Sequence, residues 1–161
     1  MKSAEEHRAL AWEAEQDAVR YPEERGEALL DAAEHWKRAG EVDRATAVLD
    51  EVLTLGGEDA DFARVALADV CFQQDADTDA WAHLQALEET APTSHGPVEL
   101  AAELLEGRGE YEAALRWFDR AVGAMEANQL AAIGERGANA RVDRDSAVRP
   151  AAVPGQARSA R

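Results

Sequence analysis

Apolar residues along this chain recur at the spacing of a helix. Within Glu27–Ala39, Leu29, Ala32, Ala33 and Trp36 fall at i, i+3, i+4 and i+7, which puts them on one helical face. Gly40 follows as a C-terminal stop. Ala45, Val48, Leu49 and Val52 repeat the spacing, and Gly56-Gly57 closes that second helix. The pairing returns with Val98, Ala101, Ala102 and Leu105, a break at Gly107 and Gly109, then Ala114, Trp117, Phe118 and Ala121. Ala63–Gln73 and Ala76–Glu89, parted by Gln74-Asp75, supply the pair between them. Three successive helical hairpins are predicted. Residues 3–20 predict one more helix, with Leu10, Ala14, Asp17 and Ala18 on a weakly apolar face and Trp12 beside it. Tyr21-Pro22 ends that helix, and Pro22 suits the first turn of the next.

The three hairpins repeat one pattern. The middle hairpin aligns with the third at an offset of 34 residues and with the first at 35. Small residues recur where the two helices of each hairpin should cross: Ala33 with Ala45, Ala68 with Ala80, Ala102 with Ala114. Helices approach closely only where no side chain stands between their backbones, so Ala is the residue such a crossing asks for. Beyond the third hairpin, Leu130-Ala131-Ala132-Ile133 prolongs the last helix.

The third hairpin carries Ala101-Ala102, Leu105, Gly109-Glu110-Tyr111 at its turn, Ala114-x3-Phe118 and Ala121. In this it resembles the tetratricopeptide repeat (TPR), a helix–turn–helix of about 34 residues. The first hairpin is similar, with Leu29, Ala32-Ala33, Trp36, Gly40, Ala45-x3-Leu49 and Val52, and has Gly57 at the usual terminal Pro. The second has Leu67-Ala68, Cys71, Ala80-x3-Leu84, Leu87 and Pro92. It departs from the pattern with Arg64 at the opening Trp position and Asp75 in place of the turn Gly. The resemblance covers residues 26–128. It implies an all-α fold, a right-handed α-solenoid of stacked TPR-like hairpins (26–59, 61–94 and 95–128, within 23–133). Residues 1–22 then form an N-terminal capping helix, because the end of a solenoid needs a cover.

The resemblance also implies a concave groove lined by the first helix of each hairpin. The matching positions are Glu27, Leu30, Glu34, Lys37 and Arg38, then Phe62, Val65, Asp69, Phe72 and Gln73, then Glu99, Glu103 and Glu106. Such a groove is apolar in the middle and acidic at its third-repeat end. It suits an extended or helical segment of a partner protein with an apolar anchor and nearby Lys or Arg. The clamp of chaperone-tail binders is not expected. Only Lys37 and Arg38 could serve it, while Leu30, Glu34, Asp69 and Glu103 stand where donors are wanted.

Charge sharpens this picture. The 161 residues hold 17 Lys+Arg against 33 Asp+Glu, a net of −16. Such a balance opposes general binding to nucleic acid or an anionic membrane, both of them polyanions. Residues 134–161 differ, with six Arg and three acids. Gly134, Gly137, Pro150, Pro154 and Gly155 interrupt them, and Val142, Val148 and Val153 are their only larger apolar side chains. Too little surface is available there to offset the entropy of ordering, so a disordered basic tail is predicted. Met1-Lys2-Ser3-Ala4-Glu5-Glu6 has acids where a signal peptide needs an apolar stretch, and a cytoplasmic protein is expected.

Chemistry-bearing motifs are absent. The chain has no Walker loop, no Gly-x-Ser-x-Gly, no His-Glu-x-x-His and no Cys-x-x-Cys. His7, His35, His83 and His95 lack ligand spacing, so exposed or partly packed imidazoles and no metal or other cofactor are expected. Cys71, alone in the chain and on an apolar helix face, reads as a small core residue. The expected function is therefore a non-catalytic protein–protein interaction scaffold with a protein partner. The alternative is a regulatory or accessory subunit of a larger complex, or of an enzyme on a separate chain.

Overall fold

The structure is a computed structural model that describes residues 1–92 and 94–147, with side chains through 134. Among the described residues there are seven α-helices and no strand: α1 (Ala4–Arg20), α2 (Arg25–Arg38), α3 (Val42–Leu55), α4 (Gly57–Gln73), α5 (Asp77–Thr90), α6 (His95–Gly107) and α7 (Tyr111–Ala147). A single 3₁₀ turn, Pro22–Glu24, joins α1 to α2. Residues 1–125 form one compact unit, and Glu126 begins a second. The irregular tail expected from Gly134 does not start there, because the backbone of α7 stays helical to Ala147. Gly134 and Gly137 each cost a helix about 1 kcal/mol relative to Ala, whereas a Pro costs about 3, and the first Pro beyond Gly134 is Pro150. The remainder of the predicted tail, 148–161, lies outside the described residues.

Local chemistry starts and stops these helices. Ser3 caps α1: its hydroxyl accepts from the Glu6 backbone N–H while the Glu6 carboxylate accepts from the Ser3 N–H, a reciprocal capping box. Hydrogen bonding from the Ser3 backbone N–H, and then from its hydroxyl, holds the exposed Glu6 carboxyl below its ordinary pKa. Within α1 the buried stripe is His7, Ala11, Ala14 and Ala18, one step around the helix from the predicted face. Three alanines on that stripe let α1 lie close along α2.

The three inter-helix turns are built alike. At the first, Glu41 N–H donates to the Trp36 carbonyl (2.9 Å) and Gly40 N–H to the Lys37 carbonyl (3.0 Å). Ala76 to Cys71 (2.9 Å) with Asp75 to Phe72 (3.2 Å), and Glu110 to Leu105 (2.9 Å) with Gly109 to Glu106 (2.9 Å), repeat those bonds. This is the Schellman ending, whose penultimate residue takes the left-handed conformation. Gly40 and Gly109 have φ of +80°, and Asp75, where Gly is missing, is held at +60°. The next helix then starts in the same way each time: the Ala45, Ala80 and Ala114 N–H groups donate to Glu41, Ala76 and Glu110.

Packing depends on the small residues. Ala33, Ala45, Ala68, Ala80, Ala102 and Ala114 are all buried, as close crossings require. Two apolar clusters form around α4. One joins α1, α2 and α3 to Ala63 and Leu67 of α4. The other joins Val65, Ala68 and Phe72 of α4 to α5, α6 and the first part of α7. α4 accordingly touches α2, α3, α5 and α6.

Candidate binding surface

Five of the predicted groove residues meet at the junction of α2 and α4. Lys37 Nζ lies 2.8 Å from Glu34 and 2.9 Å from Asp69. Arg38 Nε pairs with Glu34 at 2.8 Å, and Gln73 Nε2 donates to Asp69 at 2.9 Å. Burial works against the charge on Lys37, but hydrogen bonds to Glu34 and Asp69 more than offset it and raise its pKa. These charges satisfy one another, so the network joins two hairpins rather than awaiting an anion. Glu27 stands apart, exposed beside Glu13, Asp17, Glu24 and Asp31 along a shallow cleft between α1 and α2.

The apolar middle of the predicted groove is not on the surface. Val65 is 2% exposed and Phe72 is 4% exposed, both within the second core cluster. Phe72 meets Trp81 edge to face at 5.7 Å, and the Arg108 guanidinium lies 3.8 Å from its ring centroid. Arg108 also reaches Asp77 at 3.6 Å. The reason is the stacking itself: these positions of α4 face the next hairpin, which covers them. Leu30 is half-buried against the first cluster for the same reason. Phe62 is half-buried too, its ring against Gly96 at the start of α6, where an added Cβ would sit 2.9 Å from it. Glu99, Glu103 and Glu106 are exposed, with no ion pair among the described residues.

The turns, Gly40, Asp75 and Gly109, define equivalent positions. Leu30, Val65 and Glu99 share one register; Lys37, Phe72 and Glu106 share another. On the second helices Leu49, Leu84 and Phe118 correspond, as do Leu53, Glu88 and Val122. In the first two hairpins these residues are packed against or bonded to the hairpin after them: Lys37 to Asp69, Phe72 to Arg108, Glu88 to Arg120 at 2.8 Å. In the third, Glu99, Glu106 and Val122 are exposed and Phe118 is only partly buried.

Several surface features have no clear signal in the sequence. Leu115, Val122 and Met125 are exposed on α7, and with Phe118 they fall at i, i+3, i+7 and i+10. That spacing is visible in the sequence, but the neighbouring stripe of Ala114, Trp117 and Ala121 masks it. Arg44 lies between two indoles, 3.9 Å from the Trp12 centroid and 4.4 Å from that of Trp36, and reaches Glu15 at 3.4 Å. No spacing rule joins those four residues. His7, expected at or near the surface, is buried with its Nδ1 3.1 Å from that of His35. Its burial, then His35, Arg38 and Lys2, lowers its pKa. Arg64, at the opening Trp position, has a buried Nε without a hydrogen bond.

Burial, then Asp79 and Asp50, raises the pKa of the partly buried Cys71 thiol, which disfavours the thiolate. Among the described residues no group of three or more His, Cys, Asp or Glu could hold a metal ion, and no helix is long and apolar enough to cross a membrane. No family model, curated protein or solved structure matches the chain.

Proposed function

We propose that this chain is a non-catalytic, TPR-like interaction scaffold, its three hairpins stacking as a right-handed α-solenoid and its first helices presenting a partly acidic face to a partner protein. The observation that carries this reading is the threefold recurrence of one turn, with the same two carbonyl bonds and the same left-handed residue, together with the buried Ala pairs. Repeated hairpins of this kind are elongated supports whose exposed helices serve as contact surface. Glu99, Glu103 and Glu106, exposed at i, i+4 and i+7 of α6, favour a partner segment that carries Lys or Arg.

Affinity capture with the full chain from its own cells, then mass spectrometry across a salt series, tests the proposal. The expected result is one protein retained in stoichiometric amount and released as ionic strength rises. Capture of no protein at any salt concentration overturns it.

A further inference from the structure

We infer that the outer face of the third hairpin docks an amphipathic helix of a partner protein, one with Lys or Arg beside its apolar stripe. This inference rests on the scaffold reading above. The register argues for it. In the second hairpin, Val65 and Phe72 of α4 and Leu84 of α5 are buried in one cluster that α6 and α7 close. Glu99, Glu106 and Phe118 occupy the equivalent positions of the third hairpin, and Leu115 is the counterpart there of Trp81, which meets Phe72 edge to face. Leu115 is 62% exposed, Val122 55% and Met125 43%. By that register, the exposed apolar residues of α7 and the exposed carboxylates of α6 belong to the same face of the third hairpin.

That pairing specifies the occupant. A further hairpin like the first two would bury Glu99 and Glu106 against apolar residues, which is costly without a counter-charge. A helix bringing cations to α6 and apolar residues to α7 satisfies both sets at once. The junctions already present use the same chemistry: Lys37 meets Asp69, and Glu88 meets Arg120. A second copy of the chain is a poorer fit. It has a net charge of −16 and would bring acids to acids.

The test uses the full chain and two synthetic helical peptides. Both carry apolar residues at i, i+3, i+4 and i+7; one is flanked by Lys and its twin by Glu. Fluorescence anisotropy should show binding of the Lys peptide only. The triple variant Glu99→Lys, Glu103→Lys, Glu106→Lys should weaken it roughly tenfold. Glu23→Lys, Glu24→Lys, Asp43→Lys changes the net charge equally at exposed positions elsewhere and should leave binding within about twofold. Val122→Asp, or Leu115→Asp should that variant unfold, should remove binding with the circular dichroism unchanged. Equal binding of the twins, equal weakening by the two triple variants, or a sedimenting dimer dissolved by Val122→Asp each overturns the proposal. If the chain still captures its cellular partner undiminished with Val122→Asp, this docking face falls while the scaffold reading stands. Peptide binding at this face by a chain that captures nothing would do the reverse.

Discussion

The outward sides of α4 and α6 occupy the same register and have opposite chemistry. On α4, Val65 and Phe72 are buried; on α6, Glu99 and Glu106 are exposed. One hairpin uses these positions to carry its neighbour, and the other uses them as surface. The first end of residues 1–125 has its own cover, since α1 lies along α2. A position in a repeated hairpin therefore acquires its role from the helices stacked upon it, and the same site can be core in one copy and contact surface in the next.

Substitutions can break this contrast. Phe72→Ala removes a buried aromatic and should cost about 3–5 kcal/mol in chemical denaturation; a loss under 1 kcal/mol would mean that α6 does not cover α4. Ala102→Leu should cost about 1–3 kcal/mol by overpacking the crossing with Ala114. An unchanged melting temperature would contradict that crossing. Asp75→Gly should stabilise the chain by up to about 1 kcal/mol, because Asp75 alone of the three turn residues holds a positive φ with a side chain. A smaller effect concerns the covered end. His7 has a lowered pKa in the fold, so its neutral form is the favoured one there. Its contribution is present above about pH 6.5, where an unfolded His titrates, and is lost as pH falls below that through its lowered folded value. His83 acts in the same direction, its pKa lowered by burial and Arg64. Melting curves between pH 7.5 and about pH 5 should fall less steeply for His7→Gln than for the parent chain. Glu106→Ala, the counterpart of Phe72→Ala, should shift stability by no more than about 0.5 kcal/mol.

The helices, their turns and the Ala crossings were readable because each is local: a stripe, a stop residue and a small side chain lie within one hairpin. The groove was harder to read. Of the positions that the TPR resemblance implies for the groove, Lys37, Glu34, Asp69, Arg38 and Gln73 meet, whereas Val65 and Phe72 are buried. Both residues are apolar, and α4 is apolar on nearly every side, with Ala63 and Leu67 buried on one flank and Val65 and Phe72 on the other. Helical periodicity cannot separate a binding stripe from a second core face when both are present. α7 runs past Gly134 and Gly137 to Ala147 because glycines weaken a helix without ending it.

α4 belongs to both apolar clusters. Removing it would leave two sets of greasy side chains in water at once, so cutting the chain on either side of Gly57–Gln73 should not yield two stable fragments. Its central amides should be the slowest in residues 1–125 to exchange with deuterium. Any duplication or loss of hairpins would have to preserve a helix that is coated on both flanks.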